Sequence, residues 1–477
     1  MTAFEYILGI PVAAALALAL VPSYRVAAWL NAFASAATLG AALSPFVERP
    51  ATGVFFLIDD FNIYLIALTA FVAFTTSLFS LRYILHEVAI GRLPKRYVRF
   101  YHSMYQGFVF TMLLALSTNN LGVMWVAVEG ATLTTVLMVG LYRTPEAIEA
   151  SWKYFILCGV GIALALFGTI LMYLAAEPVM GEGLKAMTWS ELLPRVSAFS
   201  PAILNLAFVF LLVGYGTKVG LAPLHAWLPD AHAEGPTPIS AVLSGLLLNV
   251  ALYAVLRFKM LLAGNPGALA PGPLMIGMGL TSLFLASFML YRRRDIKRLF
   301  AYSSIEHMGI STFAFGMGGP LANFAGLLHM TMHSLTKSAI FFAVGHASQV
   351  KGTQKIAEIR GLTASQPALG WALVIGVVAI AGMPPFGVFM SEFLVVTSTF
   401  ARAPLLAAPL VLGLLVGFAA LMLRLQGLAF GKAEGTGKAS GAALVPLYLH
   451  LAAVLVAGIY LPGPLVAWFQ NVARLLG

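Results

Sequence analysis

Charge is what this sequence has least of. Lysine, arginine, aspartate and glutamate make up 10% of its 477 residues, and 60% are hydrophobic; soluble domains carry about 25% charge. A chain this apolar is a polytopic membrane protein. Cysteine is nearly missing as well. Cys158 stands alone within an apolar run, which excludes an intrachain disulfide, an iron–sulfur cluster and a Cys-rich zinc site. It reads as a small buried hydrophobe. Acids are fewer than bases, 18 against 28, for a formal charge of +10. The surplus cations occupy short loops between apolar runs, a mark of membrane topology and not of nucleic-acid binding. The opening MTAFEYILGI holds Glu5 and no basic residue, so it reads as a first span and not as a signal peptide.

A span needs about 20 apolar residues, and about fourteen such stretches can be counted. They fall near 5–21, 26–46, 61–82, 104–118, 120–142, 152–174 and 201–222. The others fall near 237–262, 272–290, 300–316, 321–346, 367–400, 404–428 and 442–468. Loops after odd-numbered spans hold most of the cations, those between Arg92 and Arg99, Arg292 and Arg298, and Lys351 and Arg360 among them. The positive-inside rule places these loops in the cytoplasm and both termini outside. The segment GKAEGTGKAS (431–440) looks like a phosphate loop, but Ala439 follows Lys438 and no strand precedes it. It is read as a cytoplasmic linker.

Two spans are cut by proline, at Pro223 and at Pro384-Pro385. Proline lacks an N–H and clashes with the preceding turn, and the freed backbone cannot face lipid. Paired interrupted helices point to a transport site built from repeats. The breaks are separated by an odd number of spans, so the repeats should be inverted. The expected divisions are 1–100, N-terminal helices; 101–262, a first half; 263–430, a second half; and 431–477, a linker and last helix.

The few intramembrane charges can then be taken singly. Lys218 precedes the first break in an otherwise uncharged helix, where lysine costs about 2.5–3.5 kcal/mol on insertion scales. Glu129, in LGVMWVAVEGATLTTVLMVG, is either a hydrogen-bonded core glutamate or a counter-charge that tunes Lys218. Lys153 lies near the end of its span and either joins the path or snorkels to the surface. His329, His333 and Lys337 are spaced by four, about 6 Å apart along one helix face. Histidine is poised near neutral pH, so this spacing suits a proton relay. A metal reading is weaker: the glutamate of HExxH is absent and Lys337 would repel a cation. No metal is expected. Glu392, just after the second break, is either a helix-dipole partner or an intramembrane acid. Asp59 and Asp60 are explained by interfacial solvation, and His86 and His102 flank a basic loop as solvated side chains.

Together, TKVGLAPLHAWLPDAHAEGPTPISAVLSG, DIKRLFAYSSIEHMG, the HxxxHxxxK run and PPFGVFMSEF resemble the antiporter-like subunits of respiratory complex I. That family includes Mrp-type sodium/proton antiporters and membrane subunits of energy-converting hydrogenases. The resemblance covers roughly residues 100–430, and within the family SSIEHMGISTFAFGMGGPLANFAGLLHMTMHSLTKSAIFF (303–342) is most similar to the F components of hydrogenase-4, from formate-hydrogenlyase-type complexes. The resemblance implies two inverted five-helix bundles, each with a broken helix, and a hydrophilic axis through Glu129, Lys218, Lys337 and Glu392. It implies a glutamate–lysine coupling pair in the first bundle and an exit at the second break. His225, Glu306 and His307, within the shared motifs, become accessory candidates beside Lys153 and Asn249. Asn249 stands where many relatives place a lysine or histidine linking the halves, and asparagine cannot carry a proton. Glu392 stands where many relatives have lysine.

The expected function is proton translocation within a multisubunit oxidoreductase complex. The chain holds no redox ligands, so no cofactor is expected in it. Iron–sulfur clusters, and nickel–iron in a hydrogenase, belong to partner subunits: other membrane subunits and a peripheral electron-transfer arm. The expected location is the inner membrane. The alternatives are a secondary cation/proton antiporter, with sodium in place of protons or driving uptake of another solute, and a non-conducting scaffold.

Overall fold

The computed structural model describes residues 3–432 and 444–477; of the expected linker, residues 433–440 with Lys438 lie outside them. The chain is built of helices, with only isolated bridges among the described residues. α1 (Ala3–Leu20), α2 (Tyr24–Leu43), α3 (Asp60–Ala89), α4 (Lys95–Ser117), α5 (Leu121–Val139) and α6 (Pro145–Met180) come first. One turn, α7 (Trp189–Leu192), interrupts the connection to α8 (Pro201–Val219) and α9 (Trp227–Glu234), the two parts of a broken helix. α10 (Thr237–Val242) runs through a π turn at Leu243–Leu247 into α11 (Leu248–Ala263). Then follow α12 (Gly272–Leu290), α13 (Ile296–Met317), α14 (Gly319–Lys351) and the short α15 (Leu362–Ser365). The second broken helix is α16 (Pro367–Ile380) with α17 (Gly387–Arg402), before α18 (Pro404–Phe430), α19 (Val445–Ile459) and α20 (Gly463–Leu475).

Nine of the described helices are long and apolar enough to cross a membrane, or ten if the bent pair α19–α20 is one span. Most of the other expected spans miss that test for a physical reason. α16 and α17 are halves of a broken helix, and α13 and α14 carry the polar side chains of a protein interior. α10–α11, buried along almost its whole length, lies at the centre of the fold beside α14, which also packs on α3, α13, α16, α17, α19 and α20.

Local signals set the helix ends. Asp59 caps α3 in a capping box with Asn62, Asn120 caps α5, and Pro145 takes the first position of α6 after Thr144. α8 stops before Pro223, because Gly220 adopts the left-handed conformation at φ 80°. α6 and α8 approach closely: a Cβ on Gly214 would overlap Ala165 and the Gly161 carbonyl. This packing fixes the helix that carries Lys218.

Two sequence expectations need correction here. The stretch expected as a last span, near 442–468, is not one straight helix: α19 ends at Ile459, and α20 turns away by 82° to be held through the terminal carbonyls, with Asn323 Nδ2 donating to Ala473 O at 3.0 Å and Lys259 Nζ to Leu476 O at 2.9 Å. Asp59 is not merely solvated: it pairs with Arg257 Nη1 at 2.7 Å. Arg257 is buried among Trp189, Tyr253 and Phe61, whose ring centroids lie 4.3, 5.0 and 5.2 Å from its guanidinium. A buried cation costs several kcal/mol unless matched by a close acid, so the pair ties α11 to the start of α3.

Candidate functional site

Both broken helices open their backbone to protein. At the first, Ala222 N donates to Ser282 Oγ of α12 at 2.9 Å, and the Thr217 carbonyl accepts from Trp227 Nε1 at 2.8 Å. At the second, Gly382 (φ 70°) leaves the room that the Glu392 carboxylate fills. Pro223, Pro384 and Pro385 themselves are exposed. Proline has no N–H to satisfy, so its ring meets an apolar surrounding without penalty.

The first site is centred on Lys218, which is fully buried. Its Nζ donates to Thr132 Oγ1, and Thr132 Oγ1 donates to Glu129 Oε2 at 3.1 Å. Thr132 lies three residues after Glu129 on α5, about one turn along the same face. A hydroxyl has one proton and two lone pairs, so it can accept from the ammonium while donating to the carboxylate. The expected pair is thus joined through a protein hydroxyl. The Tyr154 ring lies 5.2 Å from Lys218 Nζ and stacks on Trp227 with centroids 4.6 Å apart; its hydroxyl meets Thr135 Oγ1 at 2.7 Å.

The second site gathers α13, α14 and α17. Lys337, also fully buried, donates to the Phe300 carbonyl at 3.1 Å, and its charged neighbour is Glu306. Glu306 accepts from Ser287 at 3.0 Å, while its second oxygen has no partner. His307 Nδ1 meets His329 Nε2 at 3.0 Å, and His329 Nδ1 meets Ser391 Oγ at 2.9 Å. Ser391 gives its proton to the Val388 carbonyl at 2.7 Å. His329 Nδ1 therefore donates to Ser391, and its Nε2 accepts from His307. Glu392 Oε1 lies 3.8 Å from His307 Nδ1. His333 is buried with neither ring nitrogen bonded, its ring 5.9 Å from that of His307.

The accessory candidates divide. Glu306 and His307 are at the centre of the second site. Lys153 is exposed, paired with Glu149 at 2.6 Å and Asp230 at 3.2 Å, in a network that Arg298 extends to Asp230 and Glu234. His225 is half-buried, edge-on to Tyr302. Asn249 donates to the Met330 carbonyl at 2.9 Å and to Ser334 Oγ at 2.7 Å, a cross-link from α11 to α14 next to the π turn.

Thr132 escaped the sequence reading, and His232, one of the polar residues after the first break, was given no role of its own. His232 is fully buried, lacks a partner on either nitrogen and stacks on Phe341 at 4.8 Å; its charged neighbours are Lys297 and Lys337. Its place in WLPDAHAE was visible, but its burial was not. His102 was expected in solvent and is instead fully buried against Tyr101 at 5.0 Å, because α4 packs its polar N-terminal half against α1, α2 and α3.

Residues 118–417 match the family described as NADH:quinone oxidoreductase/Mrp antiporter, TM. Over 461 residues the chain is 60% identical to the hydrogenase-4 component F homolog of Methylacidiphilum infernorum (isolate V4), covering 97% of each. Among solved structures it is similar to a chain of the archaeal membrane-bound sulfane sulfur reductase, with TM-score 0.89, 22% identity and coverage of 99% and 97%. It is also similar to a chain of respiratory complex I from Thermus thermophilus, with TM-score 0.82, 23% identity and full coverage of both.

Proposed function

The chain belongs to the NADH:quinone oxidoreductase/Mrp antiporter membrane family, and we infer that it is the proton-translocating membrane subunit of a multisubunit oxidoreductase complex of the hydrogenase-4 type. The observation that carries this reading is the Lys218–Thr132–Glu129 chain: a buried ammonium joined to a carboxylate by one hydroxyl. A proton leaves Lys218 Nζ for Thr132 Oγ1 as the proton of Thr132 passes to Glu129 Oε2. When Glu129 is drawn away, Lys218 loses the charge that favours its protonated form. A partner's conformational or electrostatic change thereby becomes a directed proton step.

The second half repeats this logic with other groups. Glu306 stands to Lys337 as Glu129 stands to Lys218, and His333, His307 and His329 lead toward Glu392. In this reading the chain has fourteen spans, with inverted five-helix repeats over 101–262 and 263–430. It lies in the inner membrane with both termini outside. Fe–S clusters and nickel–iron reside in a peripheral arm and other membrane subunits, since the Cys158 thiol is the chain's sole cysteine.

The test is proton movement by the complex purified with its native partners and sealed into liposomes, followed with a pH-sensitive dye while the donor is oxidised. Glu129→Gln and Lys218→Met should each reduce pumping at least about tenfold while the subunits still co-purify. Undiminished pumping by both variants would establish the scaffold alternative. Movement that requires a sodium gradient would establish the antiporter.

A further inference from the structure

One end of the second half carries a cavity that the proton path does not use. Its volume is 750 Å³, and it is bounded by the α12–α13 turn, the segment 355–360 and the end of α18. Five cations line it, Arg293, Arg294, Lys355, Arg360 and Arg424, against one carboxylate, Asp295. The cavity has a fixed floor. Ile296 N donates to the Gln354 carbonyl at 2.9 Å and Ile356 N to the Arg294 carbonyl at 2.8 Å, which zips the two segments together. The one acid is already engaged: Asp295 Oδ1 caps α13 by accepting from Arg298 N at 2.8 Å.

The cations are not equally occupied. Arg293 lies 4.8 Å from the Tyr302 ring, Lys355 pairs with Glu358 at 3.1 Å, and Arg424 donates to the Tyr291 carbonyl. Arg294 and Arg360 are exposed, and neither side chain donates to a protein acceptor among the described residues. Two guanidinium forks in one basic cavity, without an acceptor among the described residues, fit the oxygens of a phosphate. The remaining wall is apolar, Ile356, Ala357, Leu423 and Gly427. Leu423 is 61% exposed on α18, a helix long and apolar enough to span. The cations therefore stand where the end of an apolar span meets the headgroup layer.

We propose that this cavity binds the phosphate headgroup of an anionic phospholipid, with the acyl chains running down α18 past Leu423. Free phosphate offers the same charge but nothing for the apolar wall. The full chain, exchanged into nanodiscs of phosphatidylcholine doped with phosphatidylglycerol, tests this by mass spectrometry of the retained lipid. Phosphatidylglycerol should be enriched over phosphatidylcholine. Arg294→Gln with Arg360→Gln should weaken that retention about thirtyfold, from the attraction that each cation near the surface contributes. Arg294→Lys with Arg360→Lys should keep most of it, and an unchanged elution profile checks that both double variants fold. Equal retention of the two lipids, or full retention by the glutamine pair, would overturn the proposal. So would displacement of the lipid by inorganic phosphate, or an acidic partner protein occupying the cavity in its place.

Discussion

A buried lysine keeps its proton only while its neighbours replace the water it has lost. At Lys218 that replacement comes from the Cys158 thiol, the Tyr154 ring and a threonine hydroxyl with a glutamate behind it, and the link to the acid runs through the threonine. Thr132→Val keeps the shape and removes the hydroxyl. A hydrogen bond to a charged group contributes about 1.5–3 kcal/mol, so proton pumping should fall at least about tenfold, whereas Thr132→Ser should restore most of it. Wild-type pumping by Thr132→Val in reconstituted complex would remove the threonine from the path. In the second half Lys337 is, among the described residues, the buried cation beside Glu306. Lys337→Met should abolish translocation with assembly intact, measured by dye quenching alongside subunit stoichiometry; full pumping by the assembled variant would rule out the relay.

Among the helices, the Asp59–Arg257 pair shows how charge is used for architecture. It joins the N-terminus of α3 to α11 at 2.7 Å. Arg257→Leu strands the acid and should cost about 3 kcal/mol, the low end for breaking a buried pair, because Asp59 still accepts from the N–H groups of Phe61 and Asn62. Arg257→Leu with Asp59→Asn should cost less than the sum of the single changes. Unfolding in detergent, followed by circular dichroism, measures both; an additive result would deny the coupling. Burial alone would push the Asp59 carboxyl up, but Arg257 and the cap hydrogen bonds hold it below its ordinary 3.8. A depressed carboxylate stabilises the fold fully above its unfolded value and loses that contribution as pH falls through the folded one. The pair should therefore hold at neutral pH and weaken only under strong acid. Asn249 belongs to this scale too, since it binds α11 to α14 in place of carrying a proton.

For the whole molecule, polarity runs inside and apolar surface outside. Glu129 is the acid of the first site and only half-buried, so the outer side of α5 is where a neighbouring membrane subunit can act on it. In the proposed function the chain supplies the proton path and its partner subunits carry the electrons. Purified alone and reconstituted, it should show no proton movement on addition of an electron donor, and the activity should return with its partner subunits. Donor-driven acidification by the isolated chain would contradict this division of labour.

The sequence alone determined the membrane class, the two interrupted helices, the ionisable residues and the family. Each is a local property. Hydropathy, proline and a charge in an apolar run need no knowledge of what packs nearby, and the four-residue spacing of His329, His333 and Lys337 puts them on one helix face in any fold. Only the tertiary structure decided which helices meet. Thr132 between Glu129 and Lys218, Ser391 orienting His329, and Arg257 beside Asp59 are joined across 86, 62 and 198 positions of chain respectively. Threonine, serine and asparagine gain a role there from a neighbour's proton or lone pair, and no periodicity in the chain records that neighbour. For the same reason His102 looks like a solvated loop histidine in sequence, and is buried once helices distant in the chain close over it.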